Sequence, residues 1–110
     1  SKSAMASAAP EAGQPARSGI YLALATPGLV VEAFRLVHTL RQQGLAAVMD
    51  YDGKSLKAQL READKLSIRW VAILGEEELR TQHVTLKDLQ HGAQETVSLD
   101  RFATDMASRG

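Results

Sequence analysis

Cysteine is absent from the chain, which excludes disulfides and thiolate metal sites. That absence suits a reducing compartment, and a cytoplasmic location is the expectation. No apolar run approaches the roughly 20 residues that a membrane-spanning helix needs. The N-terminus shows no basic region followed by an apolar stretch, so neither a membrane partner nor a secretory signal is expected. Excess charge is lacking too, because thirteen Lys and Arg residues balance thirteen Asp and Glu. A domain that binds duplex nucleic acid by bulk electrostatics carries a clear basic excess, so any nucleic-acid role here must rest on a local site. The histidines His38, His83 and His91 are scattered, with no HxH or HExxH pair. No metal site and no cofactor are therefore expected.

What the sequence does contain is an ordinary globular composition, 45% hydrophobic and 24% charged over 110 residues, enough for one domain with a modest core. Residues 1–18, rich in Ala, Ser, Pro and Gly, read as a linker or lead-in, and the folded domain is expected over 19–110. Ile20 to Ala25 is a nearly continuous apolar run, the mark of a strand buried on both faces. Thr26-Pro27 then predicts a helix start, and Leu29, Val30, Ala33, Phe34, Val37 and Leu40 recur at helical spacing up to Gly44.

Leu45 to Met49 predicts a second strand, broken by Asp50-Tyr51-Asp52-Gly53. A second helix follows, with Leu56, Leu60 and Ala63 on one face and Lys57, Arg61, Glu62 and Lys65 facing out. Arg69 to Leu74 predicts a third buried strand, halted by Gly75. Thr81 to Leu89 alternates, as a strand with one wetter face does, and Glu95 to Leu99 makes its hairpin partner across a Gly92 turn. Ser98 or Asp100 is positioned to cap a last helix through Met106. The expected order is β-α-β-α-β-β-β-α, with the first three strands parallel and the last two a hairpin.

Three stretches carry more than fold information: KSLKAQLREAD (Lys54 to Asp64), WVAILGEEEL (Trp70 to Leu79) and VTLKDLQHGAQETVSLD (Val84 to Asp100). In this order and spacing they resemble the C-terminal anticodon-binding domain of histidyl-tRNA synthetases. That family's opening strand, helix and LRxxG are matched by Ile20 to Ala25, the first helix and Leu40 to Gly44, so the resemblance spans about residues 19–107. Two departures stand out. Leu66-Ser67-Ile68 replaces a small Gly-containing turn, and Thr26-Pro27-Gly28 replaces the segment leading into the first helix.

The resemblance implies a three-layer α/β domain with a mixed five-stranded sheet. It implies tRNA, through its anticodon stem-loop, as a partner, together with a larger catalytic domain, expected in the same full-length chain, that activates histidine with ATP. No class II catalytic motif occurs here, so the chain alone is not expected to aminoacylate. The competing reading is a synthetase-derived regulatory or protein-interaction module, acting through dimerisation. A stand-alone flavodoxin-like enzyme fits least, because Ala25-Thr26-Pro27-Gly28 is a poor phosphate loop.

Candidate site residues cluster at Asp50 to Lys57, after the second strand, where ligands of open α/β sheets bind. Tyr51 can stack a base, Asp52 and Ser55 lie beside it, and Lys54 and Lys57 at the helix start can hold a phosphate. The same residues also read as a half-buried turn tyrosine, a capping aspartate and solvated lysines. The segment lacks GxxxxGK[ST] spacing, which argues against ATP. Glu76, followed by Glu77 and Glu78, is placed to accept hydrogen bonds from base amino groups, or to start a short helical turn. Lys87 either faces RNA or is the exposed side of an alternating strand. Trp70 is read as packing rather than as a stacking platform. No nucleophile accompanies the carboxylates, so no catalytic residue is assigned.

Overall fold

The structure, a computed structural model, describes residues 16–109. Of the lead-in expected over residues 1–18, the first 15 residues lie outside the described part. Its last two belong to the fold instead. Arg17 donates to the Ile68 carbonyl at 3.0 Å and pairs with Asp64, while the Ser18 N–H donates to the Ser67 carbonyl at 3.0 Å. Backbone pairing thus begins before the apolar run that marks the strand in the sequence.

Five strands form one mixed sheet: β1 (Ser18–Leu24), β2 (Ala47–Met49), β3 (Ile68–Leu74), β4 (His83–Asp88) and β5 (Ala93–Ser98), in the order β2-β1-β3-β4-β5. β1 runs parallel to both β2 and β3, and β4 is antiparallel to β3 and β5. Four helices accompany it: α1 (Val30–Gln42), α2 (Leu56–Lys65), α3 (Glu76–Thr81) and α4 (Phe102–Arg109). The sheet is the mixed five-stranded one expected, but the order gains α3, which the sequence offered only as one reading of its glutamates. Glu76, Glu77 and Glu78 in its first turn suit the positive end of the helix dipole, and the αL residue Gln82 (φ 61°) ends it.

Two hydrophobic layers flank the sheet. One side holds α1 and α4, where Leu29, Ala33, Val37, Leu40, Phe102 and Met106 pack on Ile20, Leu22, Leu24, Ala72 and Leu74. The other holds α2, where Ala63 with the partly buried Leu56 and Leu60 covers Tyr21, Ala23 and Val71. Alternate residues of β1 therefore feed opposite layers, which is why its sequence reads as a continuous apolar run. Two hydrogen bonds close the end of α1: Gly44 N–H donates to Arg41 O at 2.9 Å and Leu45 N–H to Leu40 O at 3.1 Å.

The apolar stripe of α1 is narrower than its sequence suggests. Phe34, expected in the core, is 50% exposed, and Val31 beside it on the helix is 58% exposed. Small Ala33 lies against the sheet instead, and Phe34, about 100° further round the helix, is carried onto the outer shoulder. No helix among the described residues is long and apolar enough to cross a membrane.

Candidate functional site

Because β1, β2 and β3 are parallel, their carboxyl ends meet at one edge of the sheet. Three segments leave from it: the Pro27–Leu29 turn after β1, the Asp50–Ser55 loop after β2, and α3 after β3. The Asp50–Ser55 loop is fixed from within. The Asp50 side chain, only 5% exposed, accepts the backbone N–H groups of Asp52 at 3.2 Å and Lys54 at 3.0 Å. An aspartate that closes its own turn in this way leaves the loop little freedom. Gly53 takes φ +73°, and nothing lies within 4 Å of where its Cβ would be, so backbone conformation rather than space calls for glycine there. Tyr51 and Asp52 are held at the tip, exposed to solvent.

α2 starts under this loop. Ser55 is its N-cap, and its Oγ accepts the Ala58 N–H at 3.1 Å. The hydroxyl counted among the candidate contacts is therefore already engaged in starting the helix, a role the sequence offered to Asp52. Lys54 is not a free cation either. Its Nζ donates to Glu62 Oε1 at 3.0 Å and lies 3.7 Å from Asp50. Tyr21, buried in β1, donates its hydroxyl to the same Glu62 oxygen at 2.9 Å. The hydrogen bond to Glu62 holds the Lys54 ammonium above its ordinary pKa. The bonds from Lys54 and Tyr21 hold Glu62 below its own, and burial, reinforced by Glu62, pushes the Tyr21 phenol up. Lys54 and Lys57 are both exposed, but Lys54 also serves the network that binds the loop to α2 and β1.

Gln59 is the residue that sequence reasoning missed. It is 2% exposed, and its amide joins three segments. Oε1 accepts Leu24 N–H at 2.8 Å, and Nε2 donates to Leu24 O at 2.9 Å and Lys54 O at 2.8 Å. One side chain satisfies the last backbone groups of β1 and anchors the base of the loop. The available signal was positional. Residues 56, 59, 60 and 63 make the inner face of α2, and a glutamine among them has to find partners inside.

The other candidates spread out. Glu76 is exposed at the first position of α3, on the same edge as Tyr51 but with β1 between them. Its neighbours are occupied, Glu78 accepting from Thr85 Oγ1 at 3.1 Å and Glu77 pairing with Arg80. Lys87 lies away from the edge. It faces Val71 across the β3–β4 ladder and Gln94 across β4–β5, on the α2 side of the sheet. The edge therefore brings together Tyr51, Asp52, Lys54, Ser55, Lys57 and, across β1, Glu76, but not Lys87.

At the opposite edge two guanidinium groups lie against the Trp70 ring, that of Arg69 4.5 Å and that of Arg109 5.2 Å from its centre. Both arginines are ion-paired, Arg69 with Asp88 and Arg109 with Glu95 and Asp105. Burial alone would push the Asp88 carboxyl up. The bonds from Arg69, His91 and the Gln90 backbone outweigh it and hold the group well below the usual carboxylate range. A cavity of about 270 Å³ opens beside Trp70, and Arg17, Arg69 and Arg109 in its wall already have partners. Among the described residues, no three His, Asp or Glu side chains gather as a metal site would require.

Comparison with known proteins gives this geometry its context. Residues 20–109 match the family model described as anticodon binding domain. The histidine–tRNA ligase of Desulforamulus reducens is 48% identical over 90 residues, 82% of this chain and 22% of that protein. The crystal structure of S. aureus histidyl-tRNA synthetase superposes with a TM-score of 0.77 over 83% of this chain and 23% of its own, at 24% identity, a likeness of fold. The RNA binding domain of threonyl-tRNA synthetase from Cryptosporidium parvum gives a TM-score of 0.73 at 26% identity, over 86% of this chain and 24% of that one. The chain thus spans about a fifth of the length of the curated relatives it matches.

Proposed function

The chain belongs to the anticodon binding domain family, and from that premise we propose that it is the tRNA-binding module of a histidyl-tRNA synthetase. It holds the anticodon stem-loop so that the distant acceptor end reaches a catalytic domain outside this chain. Binding energy realised at the far end then supports turnover as well as affinity. The observation that supports this most is the internally hydrogen-bonded Asp50–Ser55 loop, which presents an exposed tyrosine at the carboxyl edge, next to Lys57 in the first turn of α2, which forms no ion pair among the described residues.

In this reading Tyr51 stacks an unpaired base and Lys57 meets a phosphate. Asp52 and Glu76 accept from base amino groups. Ser55 and Lys54 act through position, one capping α2 and the other tying the loop to Glu62. Lys87 contacts RNA only if the RNA also reaches the α2 side of the sheet.

The test is a titration of labelled histidine-tRNA anticodon stem-loop against the domain at two salt concentrations, with a scrambled-loop hairpin as control. Salt-sensitive binding that prefers the native loop, and that weakens in Tyr51→Ala, is the expected result. Equal affinity for both loops refutes the anticodon-reading role.

A protein-contact role, including a homodimer, draws on a different observation: Val31 and Phe34 form an exposed apolar pair on α1. Sedimentation of the chain before and after Phe34→Ser decides whether that surface is used for self-association.

A further inference from the structure

We propose that α2 carries a cationic strip, Lys57, Arg61 and Lys65, that grips the phosphate backbone of an RNA stem leading away from the loop bound at the carboxyl edge. The proposal rests on the RNA-binding reading above and extends it along the helix.

The three residues recur every four positions, so they line one face of α2, about 6 Å apart per step along its axis. A spacing of that size is comparable to the distance between successive phosphates of one strand. All three are exposed, and none pairs with a carboxylate among the described residues. The acids of the same helix are otherwise engaged. Glu62 is taken by Lys54 and Tyr21, and Asp64 by Arg17. The balanced charge of the whole chain therefore hides a local surplus on this helix.

The arrangement also runs against helix stability. Like charges at four-residue spacing repel, and Lys57 sits near the positive end of the helix dipole. Exchanging Lys57 for a glutamate would relieve both, so the pattern is not one that stability alone favours. Beside the strip lies a shallow groove lined by Lys54, Ala58, Arg61, Glu62, Lys65 and Leu66, where small Ala58 keeps the floor open. Lys57 adjoins the Tyr51 loop and Lys65 ends the helix about 12 Å away. A stem leaving a loop bound at the carboxyl edge meets all three cations when it runs along this line.

The test compares the unaltered chain with the double variant Arg61→Gln, Lys65→Gln, which leaves Lys57 at the loop in place. The probes are the anticodon stem-loop and the same stem with a scrambled loop, titrated over a range of salt. Each lost phosphate contact removes roughly 0.7–0.9 from the slope of log K against log salt. The expected result is a slope flatter by about 1.5 for both hairpins, with the native-loop preference unchanged and thermal melting showing an intact fold. Exchanging the two cations instead, Arg61→Lys with Lys65→Arg, is expected to keep the slope. If the unaltered chain prefers the native loop and the double variant shows the same slope and affinity, the strip is refuted while the RNA-binding function stands. If the variant keeps the slope but loses loop preference, these residues read the loop and the backbone role is refuted. If the unaltered chain binds neither hairpin, both readings fall together.

Discussion

Replacing Gln59 by methionine isolates what its amide contributes, because the two side chains are similar in length and flexibility. Three backbone groups lose their partners: the N–H and C=O of Leu24 and the C=O of Lys54. The Lys54 carbonyl borders an exposed loop where water can replace the amide, but the two Leu24 groups sit at a buried residue, 6% exposed. A buried polar group left unsatisfied costs about 1–3 kcal/mol, so two of them, softened by local relaxation, amount to about 3 kcal/mol. For a domain of this size that lowers the melting temperature by roughly 10–20 °C.

Gln59→Glu sharpens the test. A carboxylate can still accept from Leu24 N–H, but it faces the carbonyls of Leu24 and Lys54 with no proton to give. Its pKa in the folded state must rise above the unfolded value of about 4.3. The unfolded state then binds fewer protons than the folded one over the intervening window, so stability falls as pH rises through it. The variant is expected to be destabilised at neutral pH and to recover part of the loss as pH falls toward 4. Urea denaturation of the three proteins at several pH values measures both effects. A methionine variant within about 0.5 kcal/mol of the parent, the range of ordinary surface changes, would refute the clamp.

Asp88→Asn weakens the Arg69 and His91 contacts and is expected to cost about 2 kcal/mol at neutral pH. Asp88 has a depressed folded-state pKa, so its contribution is present above the unfolded value and lost as pH falls; the gap between parent and variant in urea titrations should shrink on acidification. Phe34→Ala should shift stability by no more than about 1 kcal/mol, whereas Phe102→Ala, at 0% exposure, should cost about 3–5 kcal/mol in chemical denaturation. Glu62→Gln removes the ion pair that ties Lys54 and its loop to α2 and is expected to weaken stem-loop binding a few-fold; unchanged or tighter binding in a folded variant would show that this tie is not what presents the loop to RNA.

The strands and large helices were legible because their side chains repeat with the geometry of the backbone. β1 shows a continuous apolar run since it feeds two layers, and α2 shows an amphipathic one because only one side meets the sheet. Phe34 was misjudged because helical spacing cannot tell the centre of a buried stripe from its shoulder. That distinction depends on how closely Ala33 lets α1 approach β1. α3 stayed ambiguous because six residues hold too little periodicity to separate a helix from a turn. At the site, the exposed tip of the loop could be read from composition, but the ion pair that occupies Lys54 could not. It joins residues eight apart across a loop and a helix, a contact that only the tertiary arrangement brings about.

The sheet's two borders differ in length, and this bears on how the domain behaves at high concentration. β2, at one border, is only three residues long and offers few open amide groups to a foreign strand. β5, at the other, has six residues and would be the weaker guard, yet its sequence AQETVS is polar. Its Glu95 is pinned by Arg109 from α4, which keeps a charged pair beside that border. Strand-by-strand aggregation should therefore start at β5 if it starts anywhere, and neutralising Glu95 is the change that would invite it.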